Sequence, residues 1–347
     1  MKYYWIDPSC NGKYGKKNIM FDSYICEARA LAKRALERLE SPTDTDFARV
    51  FNVLFKTPKT ATQKKYPLSE FWHFMRGKPN LPLDKKTKVS IPEHVMATLA
   101  DFASDWELTD DQKKAHVRIY ADNGARFCVD AATGEMHDPI NHIKPTSNPA
   151  DFMLMGVSGQ VICNDLVNRG PDDDENPERV IMDFYPNTWM GMTSKPPMPW
   201  SMRTRIQATA SRGYSGEPLK LEYWDIMNLV TSTVAHEFMH TYAYAFSDGS
   251  RTHNDASMAT AGWQYIMSEK KEICWHNADA MALLMMAAGF ADMRPYGETK
   301  GGYTLPRNWD KIPGSNDPDV TNEKWDPDSV FNDAARGRFI WHSDMTN

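Results

Sequence analysis

Long apolar runs, basic stripes and paired cysteines are all missing from this chain of 347 residues. The longest apolar stretch, over 281–290, is too short to cross a bilayer. The net charge of -6 comes without any concentrated basic face, which argues against a nucleic-acid partner, because phosphate recognition needs clustered Lys and Arg. The short Lys cluster over 85–88 reads as a solvated loop. The 5 cysteines (Cys10, Cys26, Cys128, Cys163, Cys274) are scattered with no Cys-x-x-Cys pair, so zinc-knuckle and redox signatures are absent, and the odd count denies a closed set of disulfides. The N-terminal residues carry a positive charge but no apolar run behind it, so no signal peptide is expected. With neither an internal repeat nor a low-complexity linker, one domain is expected over 1–347, turning polar and loop-rich from about 296.

The material that is present is ordinary for a globular protein. Apolar residues make up 41% and charged residues 25%, enough for a sizeable core and too apolar for wholesale disorder. Ala28, Leu31, Ala35 and Leu39 recur at helical spacing and predict a helix over 22–40. Phe47, Val50, Phe51 and Leu54 predict a second over 46–57. The stretch 58–90 has no sustained period and reads mostly as loop. Pro92 suits the first turn of a helix reaching about residue 106. A strand is expected over 117–120, with Asp122-Asn123-Gly124 turning the chain back into a partner over 126–129. Two more apolar runs, 159–163 and 180–185, read as strands, and the acidic Asp172-Asp173-Asp174-Glu175 between them as a solvated loop. The fold class expected is α+β, mainly helical, with a small mixed sheet.

One segment carries chemistry. Residues 225–245 contain neither Pro nor Gly and predict a long continuous helix, within which lies His236-Glu237-Phe238-Met239-His240. On a helix the two histidines stand one turn apart on one face, so both imidazoles reach a single ion. Zinc suits two neutral imidazoles with a further ligand and an open position for water. Glu237, beside the first histidine, is placed to act as general base on that water. The neighbours Val234, Ala235, Phe238, Met239, Thr241 and Tyr242 are uncharged, as a buried helix requires. The extended metzincin pattern is excluded, since it needs Gly and His where Ala243 and Phe246 stand. For the third ligand the residues alone leave several choices: Glu269 and Glu272 in a charged run, Asp248 and Asp255 in a turn-rich loop, and Asp279 at the start of an apolar helix. For Asp279 a helix N-terminal charge is as good an explanation as a functional one.

The zinc-binding segment, followed by Asn277-Ala278-Asp279 opening an apolar helix, resembles the deuterolysin-like aspzincin peptidases, which include the lysine-specific metalloendopeptidases. Asp7-Pro8-Ser9-Cys10 and the Ala-rich helix over 27–39 also look like the entry to that domain. The resemblance implies a zincin-like fold and a zinc-dependent endopeptidase that hydrolyses peptide bonds through a metal-bound water activated by Glu237. It implies zinc ligation by His236, His240 and an Asp, and a Tyr that stabilises the transition state. In the family those last two residues come from Gly-Thr-x-Asp-x-x-Tyr-Gly. Here the nearest match, over 259–266, keeps Thr260 and Tyr265 but has Gly262 in place of the Asp. The resemblance then assigns the ligand to Asp255, further upstream of Tyr265, and Asp279 to the pocket for the residue after the scissile bond. The companion Glu of the lysine-specific enzymes is Ala282 here, which removes the expectation of strict lysine specificity. The resemblance also implies secretion. A second expectation, favoured by the missing Asp, is a zincin scaffold that binds without catalysis, or a toxin-like protein.

Overall fold

The computed structural model describes residues 1–11, 13–14, 17–18, 21–68, 71, 86–122, 125–141, 143–146, 159–162, 179–184, 219–220, 230–241, 243–244, 246, 274–292 and 324–325. Among them a mixed sheet carries a layer of helices. Strand β1 (Lys2–Ile6) is followed by helices α1 (Phe21–Glu40), α2 (Thr45–Phe55) and α3 (Ile91–Ser104). Strands β2 (Trp106–Leu108), β3 (Val117–Tyr120), β4 (Cys128–Val129), β5 (Met136–Asp138), β6 (Ile143–Thr146), β7 (Gly159–Ile162) and β8 (Val180–Phe184) come next. Helices α4 (Val230–Met239) and α5 (Ala278–Asp292) complete the labelled elements.

The sheet runs in the order β7-β8-β3-β1-β2. β1 pairs in parallel with both β2 and β3, β3 pairs in parallel with β8, and β7 closes the edge antiparallel to β8. β3 and β8 are buried at every position, which is what strands covered on both faces require.

The helices form where their residues favour them. Asp44 caps α2 by accepting from the Phe47 N–H at 3.0 Å. Ser90 and Glu93 form a reciprocal capping box at the start of α3, with Pro92 in its first turn. Along α1 the buried stripe holds Ile25, Ala28, Leu31, Ala32, Ala35 and Leu39, and its alanines let α3, α4 and α5 pack close. From Ala278 to Ala288 every residue of α5 is buried, so this helix is central, and after Asp279 it is apolar on all sides as far as Ala288.

Several local expectations need correction. The strand over 117–120 does not fold into a hairpin with 126–129: its partners are β1 and β8, and β4 pairs antiparallel with β5. Trp106 belongs to β2 and not to the preceding helix, which ends at Ser104. The sequence reading also missed β1. The long helix expected to reach residue 245 ends at Met239. The acidic run over 172–175 lies outside the described residues. Cys10, Cys26 and Cys128 are free thiols. No helix among the described residues is long and apolar enough to cross a membrane.

Candidate metal centre

Helix α4 is held from two sides before its chemistry begins. Phe238 is fully buried against the rings of Tyr4, Phe102 and Trp106, which ties the helix to β1, α3 and β2. At the second residue of α4, the Thr231 hydroxyl donates to the carboxylate of Glu27 on α1, and both residues are buried. Glu27 lies within the apolar stripe of α1, and a charge in that stripe was the one sequence signal that could have exposed this contact.

The end of α4 is tightened and turned back. His240 N–H bonds the Glu237 carbonyl at 3.1 Å and Thr241 N–H the Phe238 carbonyl at 3.2 Å, both with the short spacing that closes a last turn. The Thr241 hydroxyl also donates to Phe238 O at 2.8 Å. Phe246 N–H then reaches back to the Met239 carbonyl at 2.8 Å, so the carbonyls of Glu237, Phe238 and Met239 each have a partner. Tyr244 anchors this return: its hydroxyl donates to Asp101 Oδ2 at 2.5 Å and accepts from Trp106 Nε1 at 2.7 Å. Burial, together with the Asp101 charge, pushes the Tyr244 phenol far above its ordinary range, so it stays protonated. Phe246 is stacked at 16° on the ring of His94.

His240 follows the last residue of α4, yet the two histidine rings stand as the helical spacing requires, 4.6 Å apart between centroids and nearly perpendicular. Their Nε2 atoms converge to 2.9 Å. Each outer nitrogen is engaged: His236 Nδ1 lies 2.7 Å from Asp279 Oδ1, and His240 Nδ1 lies 2.9 Å from the Phe246 carbonyl oxygen. Carbonyl oxygen accepts only, and so does an ionised carboxylate. Both Nδ1 atoms therefore carry the hydrogen, and in the neutral rings both Nε2 lone pairs point at one another. Such an arrangement is repulsive until a proton or a metal ion comes between the two nitrogens.

Zinc fits this donor set. Two imidazole nitrogens on one tetrahedral zinc, at bond lengths of about 2.0–2.1 Å, stand roughly 3.3 Å apart. The observed pair is only slightly closer. Both rings also have the outer hydrogen-bond partner that metal-bound histidines almost always have. Glu237 is buried, 4% exposed, between the two histidines in sequence.

The expected site residues divide as follows. His236, His240 and Asp279 are brought together, and Glu237 lies on the same helix. Asp279 meets the outer nitrogen of His236, on the side away from the converging Nε2 atoms. Asp255 and Tyr265, and likewise Asp248, Glu269 and Glu272, lie outside the described residues. Among the described residues no group of three or more His, Cys, Asp or Glu is positioned to hold one ion. Sequence reasoning missed the Phe246 carbonyl, and no sequence signal could have shown it, because every residue carries that group. Comparisons with family models, curated proteins and solved structures find no match to this chain.

Proposed function

We propose that the chain is a zinc-dependent endopeptidase of divergent aspzincin type on a zincin-like fold. The observation that supports it most is the convergence of two Nε2 lone pairs at 2.9 Å, with both Nδ1 atoms committed to acceptors. Two such lone pairs ask for a cation, and neutral imidazoles on adjacent helical turns suit zinc.

His236 and His240 would hold the ion, with Asp255 as the third ligand. When bound, zinc supplies Lewis acidity to water and to a carbonyl oxygen. Glu237 accepts the proton of the attacking water and returns it to the leaving amine. Tyr265 donates to the oxygen that gains charge at the carbonyl carbon. Asp279 reaches the pocket for the residue after the scissile bond with the oxygen not spent on His236. The substrate class is protein or peptide, and secretion follows from the same family reading.

Zinc content and proteolysis, measured together, test the proposal. Wild-type protein is expected to hold one zinc per chain and to cleave an unfolded protein substrate. Glu237→Ala should retain the zinc and lose at least ~100-fold in cleavage rate, in line with removal of a general base. Wild type that binds zinc yet cleaves nothing would instead favour a zincin scaffold that binds without cutting, a reading supported by Gly262 standing where the family has its ligand Asp.

A further inference from the structure

We infer that Asp279 is a positioning residue of the metal centre: its carboxylate holds His236 as the Nδ1–H tautomer and aims the Nε2 lone pair at the ion. This rests on the zinc reading above and gives Asp279 a task different from substrate selection.

The geometry carries the assignment. Asp279 Oδ1 and His236 Nδ1 are 2.7 Å apart, and their side chains are 10% and 15% exposed, so water competes weakly for the contact. The carboxylate also comes from a rigid base. Asp279 is the second residue of α5, and the Asn277 side chain caps that helix by accepting from Ala280 N–H at 3.1 Å. Behind it the helix is buried through Ala288, so its first turn has little freedom to move. Without a fixed acceptor the imidazole of His236 could flip, or place its hydrogen on Nε2, and either change would turn the metal-facing nitrogen into a poor ligand. The two histidines also differ in an informative way. His240 is oriented by a backbone carbonyl, which no substitution deletes, and His236 by a side chain, which one can.

A substrate-pocket role and a positioning role make opposite predictions. If Asp279 only selected the residue after the scissile bond, its loss would raise KM for preferred peptides and leave zinc affinity alone. As a positioning residue its loss weakens zinc itself. The decisive experiment compares full-length wild type, Asp279→Asn, Asp279→Ala and His236→Ala. Zinc affinity is read by competition with a chromophoric chelator, and ligand geometry by the visible absorption of the cobalt-substituted proteins.

Asp279→Ala should bind zinc roughly ten- to a hundred-fold more weakly than wild type, the usual cost of losing the partner of a ligand histidine. Asp279→Asn keeps an acceptor without the charge, so its loss should be smaller. Both should shift the cobalt absorption, a signature that altered packing elsewhere would not give. If Asp279→Ala fails to fold, the isosteric Asn variant decides alone. Unchanged zinc affinity and cobalt spectra in a folded variant, with zinc lost in His236→Ala, would overturn the assignment while the zinc reading stands. Folded wild type that binds no zinc would overturn both.

Discussion

His94 illustrates at the scale of one residue how burial alone sets a chemical property. The ring packs between Phe71 and Phe246, and its Nε2 has no hydrogen-bond partner. Burial pushes its pKa down to about 4, from an ordinary value near 6.5. A histidine held neutral in the fold binds fewer protons than in the unfolded chain at pH values between the two. Stability is therefore fully present above about 6.5 and is lost as the pH falls toward about 4, by at most ~3 kcal/mol from the span of the shift. Urea unfolding at pH 7 and pH 5 should show this loss in wild type and a smaller one in His94→Phe, which has no proton to gain. An equal loss in both would place the acid sensitivity elsewhere. Single residues were also where sequence reading reached furthest. His236 and His240 stood out by their spacing of about one helical turn, whereas the bond from His236 to Asp279 crosses 43 positions of chain and has no local signature.

Among the elements, α4 and the turn after it show what periodicity captures and what it leaves out. The apolar spacing of α1 and α2 was legible because each helix buries one stripe against one core, and Pro92 marked the start of α3. The end of α4 was not, since nothing in 240–245 breaks a helix by propensity. Tertiary bonds end it: Tyr244 is drawn to Asp101 and Trp106, and Phe246 N–H to Met239. Tyr244→Phe should consequently leave the Trp106 Nε1 donor without its acceptor, at a cost of about 1–3 kcal/mol in urea unfolding. The same variant should loosen the carbonyl of Phe246 beneath His240 and, under the proposed zinc reading, weaken zinc binding. If stability and zinc affinity both match wild type, the return segment is held by something other than this hydroxyl.

At the scale of the whole molecule, Arg126 gathers what the chain order separates. Its guanidinium bonds Asp122 at 2.9 Å, and Asp138 and Asp183 at 2.6 Å each, and lies over the ring of Tyr120. These long-range ion pairs explain why the turn signal at Asp122-Asn123-Gly124 misled. A hairpin register would pair Arg126 locally, but the arginine is claimed by carboxylates from β5 and β8. Replacing it by Met leaves those carboxylates buried without their counter-charge, and chemical denaturation should register a loss of about 3–5 kcal/mol. A loss below about 1 kcal/mol would mean the three aspartates find other partners.

The placement of β1 in the sheet has a consequence for biosynthesis. β1 is an interior strand, gripped by 106–108 on one side and 117–119 on the other, and the second parallel neighbour of β3 is supplied only at 180–184. A growing chain must therefore carry open strand edges until just past its midpoint. The contact between α4 and α5 forms later still, when residue 279 arrives to face His236. Parallel pairings this distant in sequence form slowly and expose aggregation-prone edges while they wait. Recombinant yield should therefore respond to synthesis rate and to chaperone supply more strongly than the stability of the finished fold would suggest.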